Sequence, residues 1–307
     1  MVEQSQKALY AIYYKLRNIN LPLDLQFKLF DCMVGPILMY ASEIWGDENV
    51  DMIEKIHLNF LKRTLKVRSS TPNYMVYGET GRFPLSISIK LKMLGFWTRL
   101  LQSANNKLSG ILYQMIYRLH GSGQFSLKWI SFMKNMFNNL GFSCIWDAQL
   151  PLTMADIKTE VKQRLIDHFC QKLFDDMENS SRGKFYSSFK TTLNLEKYLL
   201  NLNSDRYTIS KLRCSNIKFP VEVGRWRNIP LEERICQHCD MNIIGDEFHY
   251  FCICNNAGIK SLREKFIPPY FYRYPTREKL VGLFSYCNIT VLTKVSRFIQ
   301  NLEKILL

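Results

Sequence analysis

The apolar positions of this chain recur at intervals of three and four residues, broken by short polar turns, a pattern that predicts helix after helix. Gln4 to Leu16 forms the first such stretch, and Pro22 stands where a proline opens a second, along which Leu25, Leu29, Cys32 and Met33 share one side. Pro36 is expected to kink that helix, because it removes a backbone donor and crowds the preceding turn. Ile37, Leu38, Tyr40, Ile44 and Trp45 then continue the apolar side as far as Gly46. From Val50, a stripe of Ile53, Ile56, His57, Phe60, Leu61 and Leu65 faces away from Glu54, Lys55, Lys62 and Arg63, as in a helix half sunk in a core. His57 lies on the edge of this stripe, without a Cys, Asp or Glu partner at ligand spacing, and reads as a packing residue.

Thr71-Pro72 is a cap followed by proline at the first helical position. Gly78 to Gly81 ends the short helix that follows, and Arg82-Phe83-Pro84 opens the next. Leu85 to Gln102 carries Ile87, Leu91, Leu94, Trp97, Leu100 and Leu101, apolar on nearly every side, and is expected to be a buried central helix. Leu108 to His120 and Leu127 to Asn138 predict a helical pair joined at Gly121-Ser122-Gly123. Gly141 to Trp146 reads as either a short strand or a loop, and Pro151-Leu-Thr153 caps a helix running toward Asn179. Phe185, Phe189, Leu195, Tyr198 and Leu199 point to more packed helix beyond the Asn179 to Gly183 break. The expectation is an all-α, multi-helical array with a small carboxy-terminal metal module. Its divisions are expected at residues 1–105, 106–204 and 205–307.

Composition narrows the class. Hydrophobic residues make up 47% of the 307 positions, and no low-complexity segment interrupts them, so the chain is expected to fold throughout. Lys and Arg outnumber Asp and Glu by 41 to 27, a formal charge of +14, which attracts polyanions by counterion release. The longest apolar run, Cys32 to Ala41, is too short to cross a bilayer. Met1 to Lys7 has no apolar core flanked by basic residues, so an intracellular protein, cytoplasmic or nuclear and not secreted, is expected. In that reducing setting Cys32, Cys144, Cys170, Cys214 and Cys287 read as small apolar side chains rather than disulfide partners.

The remaining cysteines read differently. Cys236-Gln237-His238-Cys239 sets two thiols on one tight turn, and His249 with Cys254 can complete a tetrahedron, all within nineteen residues. Cys252 competes for the fourth position. An unbroken helix from Asp246 to Cys254 would put Cys252 on the face of His249, whereas a helix end at Ile253 favours Cys254. Cys236, Cys239, His249 and Cys254 are the set expected, holding a structural zinc ion.

From Arg206 onward basic and aromatic residues interleave. Lys211, Arg213, Lys218, Arg225, Arg227 and Arg234, together with Trp226, form a candidate nucleic-acid surface, since guanidinium groups pair with phosphate and an indole stacks on an unpaired base. An ordinary solvated basic face with Trp226 in the core is the competing reading. Asp175 and Asp176 resemble the paired aspartates of a two-metal polymerase site, but that site needs a strand hairpin and a third carboxylate, and these residues sit late in a helical pattern. No Gly-rich phosphate loop, nucleophile triad or His-Glu-x-x-His helix appears in the sequence, so no catalytic residue is assigned.

Three early stretches, Gly35 to Gly46, Ile53 to Phe60 and Ser70 to Glu79, resemble the region just after the polymerase core of non-long-terminal-repeat retrotransposon reverse transcriptases. Leu212 to Asn216, Glu222 to Trp226, Ile229-Pro230 and the Cys/Cys/His/Cys run with Gly245 to Tyr250 look like that family's terminal zinc-binding region. The resemblance implies that Cys236, Cys239, His249 and Cys254 are zinc ligands and that the module grips RNA or target DNA beside a polymerase core. This sequence has no fingers, palm or catalytic aspartate pair, so the expected role is a non-catalytic one. The alternative is a zinc-stapled helical scaffold that docks a protein.

Overall fold

Ile53, Ile56, His57, Phe60, Leu61 and Leu65 are all buried in the computed structural model, so the stripe read from the sequence is one continuous packed face. The structure describes residues 1–17, 19, 21–46, 48, 50–103, 106–285 and 288–306, and Cys287 lies outside them. In chain order the helices are α1 (Val2–Leu16), α2 (Leu23–Leu29), α3 (Gly35–Leu38), α4 (Ser42–Trp45), α5 (Val50–Leu65), α6 (Asn73–Thr80) and α7 (Leu85–Gln102). There follow α8 (Leu108–Gly121), α9 (Lys128–Asn139), α10 (Ser143–Ala148), α11 (Met154–Glu178), α12 (Gly183–Ser187) and α13 (Lys197–Asn201). The last are α14 (Asp205–Arg213), α15 (Pro220–Trp226), α16 (Ala257–Phe266), α17 (Pro269–Tyr272), α18 (Arg277–Ser285) and α19 (Ile289–Ile305). Among the described residues there is no strand, only isolated bridges at Thr80–Leu195 and Ile235–Ile244. The fold is all-α. No helix among these residues is long and apolar enough to cross a membrane.

Two compact units divide the chain. The first comprises residues 1–21, 25–57 and 83–172, and the second residues 22–24, 58–82 and 173–307. Both are discontinuous in sequence.

In the first unit Trp97 of α7 is fully buried, stacked on Trp146 of α10 at 5.6 Å and beside Phe137 of α9 at 4.8 Å. Its indole nitrogen donates to the Tyr113 hydroxyl at 2.8 Å, which in turn donates to Gln149 Oε1, so the buried polar atoms of this aromatic core are paired. The stretch from Gly141 to Trp146, read as strand or loop, leads into and forms α10, because Trp146 docks into this core. Glu54 falls opposite the apolar stripe of α5, yet its Oε2 accepts from the Leu85 amide at 2.8 Å and so satisfies an open donor at the start of α7. Its other oxygen lies 2.9 Å from His57 Nδ1, and the His57 ring stacks on Phe30. His57 packs as expected, but it does have a carboxylate partner.

The second helical region departs from expectation. A π-helical turn at Phe30–Val34 precedes Pro36, with the Gly35 amide bonded to the Phe30 carbonyl, which accommodates the missing proline donor. The chain then breaks at Ala41, whose φ is 53°, before α4. Phe27, Phe30, Val34 and Leu38 form the buried side, whereas Leu25, Cys32, Met33, Tyr40 and Ile44 are exposed. This segment is apolar on two sides, and spacing alone favoured the wrong one.

In the second unit α19 packs on α14 and α16, with Phe298 against Phe251 at 4.9 Å. Asn288 caps α19 by accepting from the Thr290 and Val291 amides. Glu79, the last acidic residue of α6, is completely buried and accepts from the Tyr186 and Tyr198 hydroxyls and from Arg213 Nε. Gly81, at φ +60°, ends α6, and a Cβ there would overlap the Leu195 backbone, so only glycine allows the close approach that seats Glu79.

Candidate metal centre

Cys236 follows a single turn of tight helix at Leu231–Glu233 and enters a short looped-back segment. The Cys236 amide bonds the Ile243 carbonyl, the Gly245 amide bonds the Arg234 carbonyl, and Asn242 turns the tip at φ 53°. Within this loop the His238 amide points at Cys236 Sγ, 3.4 Å away, a contact that fixes the direction of the sulfur. The second pair comes from a π-helical turn, His249–Ile253, whose first amide is held by Asp246 Oδ1 at 2.8 Å. That turn stops at Ile253, and Cys254 adopts an extended conformation with ψ 126°.

This helix end settles which cysteine joins the cluster. The ligand atoms of Cys236, Cys239, His249 and Cys254 all lie within 4.8 Å of one another, while Cys252 turns away toward the Phe271 carbonyl. Tetrahedral coordination with metal–sulfur bonds of about 2.3 Å requires donors roughly 3.8 Å apart, so a small inward adjustment would close the group around an ion. His249 Nε2 lies 3.4 Å from Cys239 Sγ and faces the cluster. The four residues form a group that can hold a metal ion.

The electrostatics fit a cation. Burial, reinforced by Cys236 and Cys239 nearby, pushes the Cys254 thiol up to about 12, so its thiolate form calls for a positive charge beside it. Burial holds His249 below the usual imidazole range, which favours the neutral, ligating form. The buried Arg263 guanidinium of α16 donates to the Cys254 carbonyl at 2.8 Å and to that of Tyr250, bracing the ligand turn and offsetting excess thiolate charge. Asn256 ties the two halves together. Its side chain accepts from the Ile259 amide at the start of α16 and donates to the His238 carbonyl.

The metal loop also sets α15. Arg234 runs from the loop back over Gly224, where any Cβ would overlap it, and donates to the Val221 and Ile229 carbonyls at 3.1 and 2.8 Å. The Val221 amide bonds the Gly245 carbonyl, and Phe219 stacks on Tyr250 at 5.1 Å. α15 therefore rests on the loop through several independent contacts.

The basic residues singled out from the sequence separate into groups. Arg213 is 3% exposed and bound to Glu79, with Glu196 3.2 Å from its Nη2, so it belongs to the core and is withdrawn from any nucleic-acid surface. Arg234 is engaged with carbonyls as described, and Lys211 is half-buried on α14. Arg225 pairs with Glu222, while Lys218 and Arg227 are exposed. Trp226 is 39% exposed, and the Arg68 guanidinium lies 3.7 Å over its ring. Sequence reasoning missed Arg68 and also Arg182, which bonds Glu222 at 3.2 Å. Asn216 fixes the first of these, since its side-chain oxygen accepts from the Arg68 amide and from Thr71. Asp175 and Asp176 lie exposed near the end of α11.

No protein-family model, curated protein or solved structure matches the chain.

Proposed function

We propose that this chain is a non-catalytic nucleic-acid-binding region of the kind that follows the polymerase core in non-long-terminal-repeat retrotransposon reverse transcriptases. It would hold RNA template or target DNA while that core copies it. The observation that carries the reading is the surface of α15, where Trp226 lies under Arg68 and beside Arg225 and Arg227, on a helix braced by the metal loop. A guanidinium layered on a partly open indole offers a phosphate-pairing edge and a stacking face together. The formal charge of +14 supplies the longer-range attraction.

Zinc suits the three-sulfur, one-nitrogen donor set, and four protein ligands leave no position for water or substrate, so its role is structural. The test is titration of the full chain with single-stranded RNA and DNA over a range of salt concentrations. Log affinity should fall linearly with log salt, by about 0.7 per neutralised phosphate. Absence of polyanion binding at low salt refutes the reading.

One feature favours a second reading, a helical scaffold that docks a protein. Leu108, Ile111, Leu112 and Met115 of α8 are exposed along one helical stripe. Tight association with a protein, without affinity for polyanions, is the result that would select it.

A further inference from the structure

α15 lines a cavity of about 530 Å³ that also borders the turn at Ser181 and Arg182 and the face of α18. Glu222 is 2% exposed, and its carboxylate is shared, Oε2 accepting from Arg182 Nε and Oε1 from Arg225 Nη1. One carboxylate between two guanidinium groups leaves a surplus positive charge, on side chains only 11% and 23% exposed. The imbalance holds for the whole lining, where Arg234 and Arg277 bring the guanidinium groups to four, while Asp246 and Glu247 bring the carboxyl groups to three. Arg277 is taken up by Asp246 at 3.4 Å and Arg234 by backbone carbonyls, so the surplus resides at Arg182 and Arg225. The rest of the wall is largely apolar, with Phe185, Phe248, Leu280 and Val281.

A pocket of roughly 300–1,000 Å³ with apolar walls and a few convergent polar groups has the dimensions of a small-molecule site. A surplus guanidinium charge at its edge selects an anion, and bidentate geometry suits phosphate oxygens. The flat rings of Phe185 and Phe248 suit a heterocycle. We infer that this cavity takes a single phosphorylated nucleotide, its phosphate on Arg182 and Arg225 and its base among Phe185, Phe248 and Leu280. The inference rests on the nucleic-acid reading and extends it, giving the bound strand one discrete pocket for a nucleotide turned out of the chain.

Calorimetric titration of the full chain with adenosine monophosphate, adenosine and inorganic phosphate tests this, alongside binding of a single-stranded RNA. The monophosphate should bind once per chain, and adenosine at least about tenfold more weakly, the usual worth of one charged hydrogen-bond pair. Arg182→Gln should weaken the monophosphate by about the same factor. Val281→Trp, which fills the cavity and keeps every charge, should abolish its binding while the circular dichroism spectrum stays native. Equal affinity for monophosphate and adenosine, or unchanged monophosphate binding in a folded Val281→Trp chain, overturns the inference. RNA binding without monophosphate binding removes the pocket and leaves the broader reading standing. Monophosphate binding without RNA binding does the reverse, and loss of both removes both.

Discussion

Arg213 meets Glu79 inside the second unit, its Nε 2.9 Å from the carboxylate, with both side chains almost wholly out of water. Tyr186 and Tyr198 donate to the same carboxylate, and Arg213 Nη1 donates to the Phe284 carbonyl. The pair thus links α6, α12, α13, α14 and α18 through one charge. A buried ion pair of this kind gives little net stability over an apolar replacement, but removing one member strands the other.

Arg213→Ala should therefore lower unfolding free energy by about 3–5 kcal/mol, measured by urea titration. Tyr198→Phe should cost about 1 kcal/mol, the worth of one hydrogen bond. A neutral effect of Arg213→Ala on stability, with a large loss of RNA affinity, would return this residue to the surface reading.

Metal content separates Cys252 from Cys254. Cys239→Ser and Cys254→Ser should lose the ion, because their sulfurs belong to the four-donor group, while Cys252→Ser should keep it, because its sulfur faces the Phe271 carbonyl. Metal per chain by atomic emission after dialysis is the measurement. Retention in Cys254→Ser with loss in Cys252→Ser would reverse the assignment.

Chelation should unfold the loop around residues 234–256 before the helices of the first unit, since those helices carry their own aromatic core. Hydrogen exchange after chelation should show protection lost at the Cys236, Gly245 and Cys254 amides while α7 and α9 keep theirs. Full protection at those three amides without metal would end the structural-metal hypothesis.

The same treatment should weaken nucleic-acid binding. Arg234 and Gly245 hold Val221 and Ile229, and α15 carries Trp226. The affinity for single-stranded RNA should fall on chelation and recover on adding zinc. Unchanged affinity would show that α15 stands without the loop.

Trp226→Ala should cost binding by about 1–3 kcal/mol if the indole stacks on a base. Its exposure of 39% predicts a thermal midpoint close to wild type. Arg68→Ala should reduce the salt slope of binding, since one phosphate contact is lost. A large drop in the midpoint for Trp226→Ala would place that side chain in the core instead.

The all-helical class, the extents of α5, α7 and α11, and the metal cluster are all legible in the sequence because each depends on neighbours close along the chain. Helical stripes repeat every three or four residues, and the four donor residues fall within nineteen. Even the choice between Cys252 and Cys254 reduces to where one turn ends. Where a segment is apolar on two sides, as from Leu25 to Leu38, local spacing has no means of choosing, and the tertiary packing that buries Phe27, Phe30, Val34 and Leu38, with Phe30 stacked on His57, decides. Charged side chains are the extreme case. Arg213 and Arg227 look alike in sequence, yet one meets a carboxylate 134 residues away and is buried while the other stays in water. Arg68 joins Trp226, and Arg182 joins Glu222, only once segments distant in sequence are brought together. The free energy of a charge is set by what surrounds it in space, so the tertiary structure alone determined which basic residues remain available to a partner.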